Sequence, residues 1–167
     1  MIDKHSYRAA MANLGAAVNV ITGVGDSGPV GCTVSAVCSV TDEPPTLLVC
    51  INRSSQNNAA FRASRALCVN VLSAEQQTVA ERFATRQASA EERFALAEWD
   101  TLVTGSPALR HALASLDCEV VATQEVGTHT VFSCAVKAVR TEAAGDGLVY
   151  FSRGYHRLPG APAAAQA

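Results

Sequence analysis

The sequence predicts a mainly β domain, a small, closed or nearly closed antiparallel barrel carrying a few short helices. Three observations lead there. Six or seven short runs are either continuously apolar or alternate apolar with polar residues, the period of a strand. Glycine-, proline- and aspartate-bearing stretches such as GVGDSGPVG (23–31) and EAAGDG (142–147) punctuate those runs. A chain of 167 residues, 49% hydrophobic and 17% charged, suffices for one domain with a real core, and closure into a barrel removes the edges such a sheet would expose.

The elements follow in order. DKHSYRAAMANLG reads as a helix, with Asp3 as N-cap, Tyr7, Met11 and Leu14 on one side, and Gly15 ending it. AAVNVIT (16–22) is a strand, GVGDSGPVG a turn, and CTVSAVCSV (32–40) a second strand, together a hairpin. TDEPPT interrupts the chain before TLLVCIN (46–52), a short apolar strand. NRSSQNN (52–58) is a polar loop that opens a short helix through Phe61 to Arg65, followed by the strand LCVNVL (67–72). Ser73 and Gln76 have capping-box spacing and start a helix with Val79, Ala80 and Phe83 on its apolar side. Thr85 to Pro107 is mixed and loop-rich, with Phe94 and Trp99 as apolar anchors, and SPALRHAL is expected to form a short helix begun by Pro107. Two long alternating runs, 115–126 and 129–140, precede a last strand at 148–153. Residues 1–158 are thus expected to form one domain and 159–167 a disordered tail.

Composition excludes several function classes. A formal net charge of −2 leaves no basic footprint for nucleic acid or an anionic membrane surface. The N-terminal MIDKHSYRAAMANLG has charges and no continuous apolar stretch, so neither a signal peptide nor a membrane span is expected, and a cytoplasmic location is the default. The six cysteines show no CxxC pair and nearly all lie in strand-like runs, which reads as reduced, structural thiols. No GxSxG or HExxH occurs and the histidines lack ligand spacing, so no metal site is expected.

Four stretches remain for chemistry. Gly23, Gly25 and Gly28 match GxGxxG, but the fingerprint needs a helix to follow and an alternating strand follows instead, so a hairpin loop is expected. In the next strand Val30, Cys32, Val34, Ala36, Cys38 and Val40 share an apolar face, while Thr33, Ser35 and Ser39 form a hydroxyl face that is either solvated or bonds a planar polar ligand. NRSSQNN offers hydroxyls, amides and Arg53 before a helix start, which is either a phosphate site or an N-capped surface loop. In EVGTHTVFS (125–133), His129 lies opposite the apolar face of Phe132, Cys134, Val136 and Ala138, with Val131, Ser133 and Lys137. It is therefore not a core histidine, and the pattern leaves open whether it is an exposed strand residue or part of a site.

The order of GAAVNVIT, GCTVSAVCSVTDEPPTLLVCIN, LCVNVLS, ERF, LDCEVV, VGTHTVF and GLVYFSRGYH resembles the short-chain flavin reductase family, NAD(P)H-dependent partners of two-component flavin monooxygenases. Within it the chain is most similar to the NADH:FMN reductases of pyrimidine utilisation and the reductase components of 4-hydroxyphenylacetate 3-monooxygenase. The resemblance runs from about Tyr7 to Leu158. It implies an FMN-binding split barrel, a homodimer, FMN or FAD as flavin, NADH or NADPH as reductant, and a monooxygenase that receives the reduced flavin. Matched motif by motif, it implies that Thr33, Val34, Ser35, Ala36 and Ser39 lie along the flavin ring. Cys50, Ile51, Asn52, Ser54, Ser55 and Asn57 would hold the ribityl and phosphate portion. Many relatives carry GDH where this chain has Gly127, Thr128 and His129; the motif implies a nicotinamide contact and a catalytic role for His129, with Tyr155 and His156 bordering the same site. The other reading is a split-barrel protein that carries or senses FMN without turnover, and further off a flavin-free ligand-binding barrel.

Overall fold

The computed structural model describes residues 2–142 and 144–161. Helix α1 (Lys4–Met11) starts at Asp3, whose carboxylate accepts the amides of His5 and Ser6 at 2.9 and 3.0 Å, as the capping pattern predicts. A short strand β1 (Ala16–Ala17) leads into the hairpin of β2 (Asn19–Gly25) and β3 (Gly28–Val34), which turns at Asp26 and Ser27. The GxGxxG glycines thus lie in and beside a hairpin turn, where Gly28 takes a φ of 113°. Then come β4 (Val37–Asp42), β5 (Pro45–Asn52), α2 (Asn58–Ser64) and β6 (Ala66–Val71). A 3₁₀ turn at Ala74–Gln76 runs into α3 (Gln77–Ala84), with the Ser73/Gln76 capping box formed. Next are α4 (Ala90–Phe94), β7 (Trp99–Thr101), β8 (Pro107–Leu109), β9 (Ala114–Val126), β10 (His129–Thr141), β11 (Gly147–Phe151) and β12 (Gly154–Leu158).

Seven antiparallel strands make the main sheet, in the order β3-β2-β6-β9-β10-β5-β4. Its two edges, β3 and β4, are consecutive in sequence and joined only by Ser35 and Ala36, so the sheet must curl until the edges meet. The predicted single strand 32–40 is therefore two strands. Val30, Cys32 and Val34 pack on the inner core as the alternation requires, but beyond the joint Val37 faces inward while Cys38 and Val40 are exposed. Crossing from one edge to the other takes two residues out of the ladder and inverts the parity of everything after them. That joint is the split of the barrel.

The barrel interior holds Ile21, Val49, Ile51, Leu67, Val69 and the edge-to-face pair Phe61 and Phe132, all buried. Each such side chain contributes roughly 1.5–3 kcal/mol by leaving water. A second core, around Val18, Leu72, Phe83, Leu109 and Leu148, sits where α3 and the sheet β1-β11-β12 pack on the barrel's outside. Phe94 and Trp99 join it, 4.8 Å apart, as the apolar anchors expected of the 85–107 stretch.

Two expectations need correction. SPALRHAL does not form a helix: Pro107–Leu109 is a strand paired with Trp99–Thr101, because Ala108 and Leu109 are buried, Leu109 in the second core, and Asn70 accepts the Leu109 amide at 2.8 Å. The last strand stops at Phe151, turns through Ser152 and Arg153 at positive φ, and returns as β12. Of the tail, residues 159–161 have no regular secondary structure and 162–167 lie outside the described residues, so the expected disorder there is a statement about residues not described.

The excursion between α3 and β9 is fastened by buried polar groups. The Asn70 side chain bonds Val20, Thr22, Leu109 and Ser115, and fully buried Asp117 accepts the amides of Val103 and Thr104 at 2.7 Å each. Arg140 grips both oxygens of Asp100 at 2.7 Å. At the start of this excursion α4 is held by Phe94, which packs against Phe83 and Trp99. Among the described residues no helix is long and apolar enough to cross a membrane.

Candidate functional site

Where the barrel splits, the ends of β3 and β5, the loop before α2 and the start of β10 border one groove. One cleft of about 260 Å³ is lined by Thr33, Val34, Ser35, Ala36, Cys50, Ile51, Asn52 and Ser55, with His129 and Cys32. A second, of about 250 Å³, continues past Thr33 to Ser54, Ser55 and Asn57. A third, of about 210 Å³, adjoins at Thr33 and Ser35 and is walled by Val18, Ala84, Tyr150 and Tyr155. Together they fall in the range of roughly 300–1,000 Å³ typical of small-molecule sites.

The groove's shape follows from local bonds. His129 faces Asn52 across the β10–β5 ladder, so the pairing register alone sets the histidine beside the polar loop. Asn52 Oδ1 accepts the amide and the hydroxyl of Ser54, both at 2.9 Å, which folds the loop back on itself. Asn57 donates to the Gly31 carbonyl at 2.6 Å, and buried Asn58 donates to the Ile51 carbonyl at 3.2 Å, tying the loop to both walls. Thr33 spends its hydroxyl hydrogen on the Ala80 carbonyl, 2.6 Å away, so it holds α3 against β3 while its residue lines all three clefts.

The end near Ser54 has a distinct electrostatic character. Arg93, from α4, is 9% exposed and donates to the carbonyls of Thr85 at 2.7 Å and Gly31 at 3.4 Å, yet its buried Nε has no partner among the described residues. Arg86 reaches the Ser54 hydroxyl at 3.5 Å, and no carboxylate lines this cleft. A buried guanidinium without a counter-ion is costly, so the cleft is built for an anion. Two guanidinium groups with the hydroxyls of Ser54 and Ser55 fit a phosphate group. Pattern reading missed both arginines, since they arrive from the 85–107 excursion; a basic residue beside Phe94, one of that stretch's anchors, was the available signal.

Burial pushes the Cys32 thiol up to about 12, only partly offset by Arg93 and by a bond to Ser55, so it stands in the groove as a neutral group. The Cys50 thiol is raised by burial and then by the neighbouring Cys38. Burial, followed by Glu81 and Tyr150, raises the Tyr155 phenol. His129 is half-buried, and its Nδ1 lies 3.0 Å from the Thr128 hydroxyl.

The groove thus gathers Thr33, Val34, Ser35, Ala36, Cys50, Ile51, Asn52, Ser54, Ser55, Asn57, His129 and Tyr155. Two expected members stand apart. Ser39 lies on β4 opposite Leu47, exposed and beyond the parity change. The His156 ring donates to the Phe151 carbonyl at 3.0 Å, which turns it toward the β11–β12 turn rather than the groove.

Comparison with known proteins agrees with this architecture. A family model described as "Flavin reductase like domain" matches residues 11–159. The chain is 50% identical over 156 residues to the reductase component of 4-hydroxyphenylacetate 3-monooxygenase of Pseudomonas aeruginosa, covering 93% of this chain and 92% of that one. It is 48% identical over 158 residues to the FMN reductase (NADH) RutF of Escherichia coli, covering 95% and 96%. The crystal structure of a candidate flavin reductase from Haemophilus somnus superposes with a TM-score of 0.92 at 44% identity, over 94% of this chain and 100% of that one.

Proposed function

Because the chain belongs to the flavin reductase-like family, we propose that it reduces FMN with NADH and releases the reduced flavin to a separate monooxygenase component. The observation that carries this reading is the groove itself: a carboxylate-free, arginine-bearing cleft at one end and a half-buried histidine on a rigid strand at the other, joined by the barrel split.

In this reading Thr33, Val34, Ser35 and Ala36 lie along the flavin ring; the carbonyls of Ser35 and Ala36 are taken by the amides of Val37 and Cys50, which leaves their own amides for its polar edge. Cys50, Ile51 and Asn52 follow the ribityl chain, and Ser54, Ser55, Asn57, Arg86 and Arg93 hold the phosphate. In this reading the flavin is FMN, whose terminal phosphate monoester would meet the two guanidinium groups and the serine hydroxyls. When flavin and NADH are bound, the chemistry is hydride transfer from nicotinamide C4 to flavin N5. The protein's part is to hold the reacting atoms at about 3–3.5 Å and to keep water out. His129 contacts the nicotinamide from the groove's rim, Tyr155 closes the adjoining side, and His156 supports the turn beneath it.

We infer further that the chain works as a homodimer. Helix α1 buries none of its residues, and its Tyr7 and Met11, with Leu14 just beyond, stand 55%, 42% and 64% exposed. Such an apolar row on an otherwise unpacked helix suits a subunit contact. Light scattering on the purified protein should return twice the chain mass; a monomer at all concentrations contradicts the inference.

The functional reading is tested by mixing purified protein with NADH and excess FMN and following NADH absorbance. Sustained consumption, many times the protein concentration, supports a reductase. A single stoichiometric bleach marks an FMN carrier instead, and no change marks neither.

A further inference from the structure

We propose that Glu81 selects NADH over NADPH, its carboxylate standing where the adenosine ribose of the coenzyme passes. The inference rests on the reading of the protein as a nicotinamide-dependent reductase, and adds which coenzyme it takes and why. With FMN along the first two clefts, the third is the way left for the rest of the dinucleotide. It opens from Thr33 and Ser35, beside the flavin ring, and runs to Val18, Ala84, Tyr150 and Tyr155. The two tyrosines meet edge to face, ring centroids 5.3 Å apart, and form an aromatic wall against which a base can pack.

Glu81 comes to this cleft from α3. Ala84 lines the cleft, and a residue three positions earlier lies on the same side of a helix. The charge of Glu81 reaches Tyr155, where it is the largest influence after burial in raising the phenol. Gln77, one turn back, donates to Glu81 Oε1 at 2.8 Å and holds the carboxylate in place. Ribose hydroxyls donate to a carboxylate, whereas the 2′-phosphate of NADPH brings further negative charge against it. No cation is set to offset that repulsion: among the described residues, none lining the cleft is charged. On the surrounding elements, Arg82 lies near Glu92 of α4, Arg86 reaches Ser54, and Arg157 of β12 is taken by Asp146 and Glu75. Arg153 stands at the tip of the β11–β12 turn, beyond the Phe151–Gly154 pair.

The test is kcat/KM for NADH and for NADPH, measured at saturating FMN and at low and high ionic strength. The native protein should favour NADH by about 10-fold or more, and added salt should narrow the gap by screening the carboxylate. Glu81→Gln keeps the shape and the hydrogen bonding of the side chain and removes its charge. It should raise kcat/KM for NADPH about 5- to 20-fold, keep that for NADH within about threefold, and flatten the salt dependence of the ratio. If the native protein uses NADPH as well as NADH, the inference is overturned and the reductase reading stands. The same holds if Glu81→Gln leaves the ratio and its salt dependence as they were. If neither coenzyme is oxidised, the reductase reading falls and this inference with it.

Discussion

At the scale of single residues the proposed function rests on a histidine at the start of a strand and an arginine on a five-residue helix. Period 2 showed only that His129 lies opposite the apolar face; the family resemblance marked it for a site, and the β10–β5 register adds that Asn52 stands across from it. Arg93 was not legible, for a physical reason: its burial depends on its neighbour Phe94 packing against Phe83 and Trp99, and on its own bond to the carbonyl of distant Gly31, neither of which a local pattern shows. Its unpartnered Nε leads to a definite expectation. Arg93→Met should weaken FMN binding by about 10- to 100-fold, the loss of a charge-assisted hydrogen bond, while riboflavin, which has no phosphate, binds nearly as before. Fluorescence quenching of the two flavins measures the ratio; equal losses for both would show that Arg93 shapes the groove without meeting the phosphate.

Among elements, the contact of β3 with α3 decides whether the groove exists. A Cβ on Gly31 would lie 2.7 Å from Phe83 Cε1 and 3.1 Å from the Ile21 carbonyl, and the Gly31 carbonyl takes bonds from both Asn57 and Arg93. Gly31→Ala should therefore cost about 1–3 kcal/mol of stability by overpacking and also loosen FMN, since α3 must back away from the phosphate loop. Urea unfolding with and without FMN would read both effects, and a variant with native stability and affinity would refute the close approach. Most strands and the first hairpin were readable, because alternation or an unbroken apolar run marks them, whereas the strand order was not. The break at Ser35 and Ala36 was not, since small residues continue on even positions through the joint although the faces exchange. The β8 segment misled for a related reason: ALRHAL favours a helix locally, and tertiary burial of Ala108 and Leu109 overrides that preference.

For the molecule as a whole, the buried thiols link stability to pH. Burial raises Cys32 and Cys134 to about 12 from an ordinary 9.0, and raises Cys68 and Cys118 as well. Above pH 9.0 the unfolded chain loses these protons while the folded chain keeps them, so stability must fall as pH rises toward the folded values. Thermal unfolding at pH 8 and pH 10, compared with Cys134→Ala, should show a smaller alkaline loss in the variant; an equal loss would mean that other groups account for it. In the proposed function, one groove, opened by the split of the barrel, brings flavin and nicotinamide together for direct transfer. Anaerobic stopped-flow mixing of protein and excess FMN with NADH deuterated at C4 tests it most directly. All the FMN should be bleached, well beyond one equivalent per chain, with slower bleaching for the deuterated position that transfers. Bleaching that stops at one equivalent, or never begins, would contradict it.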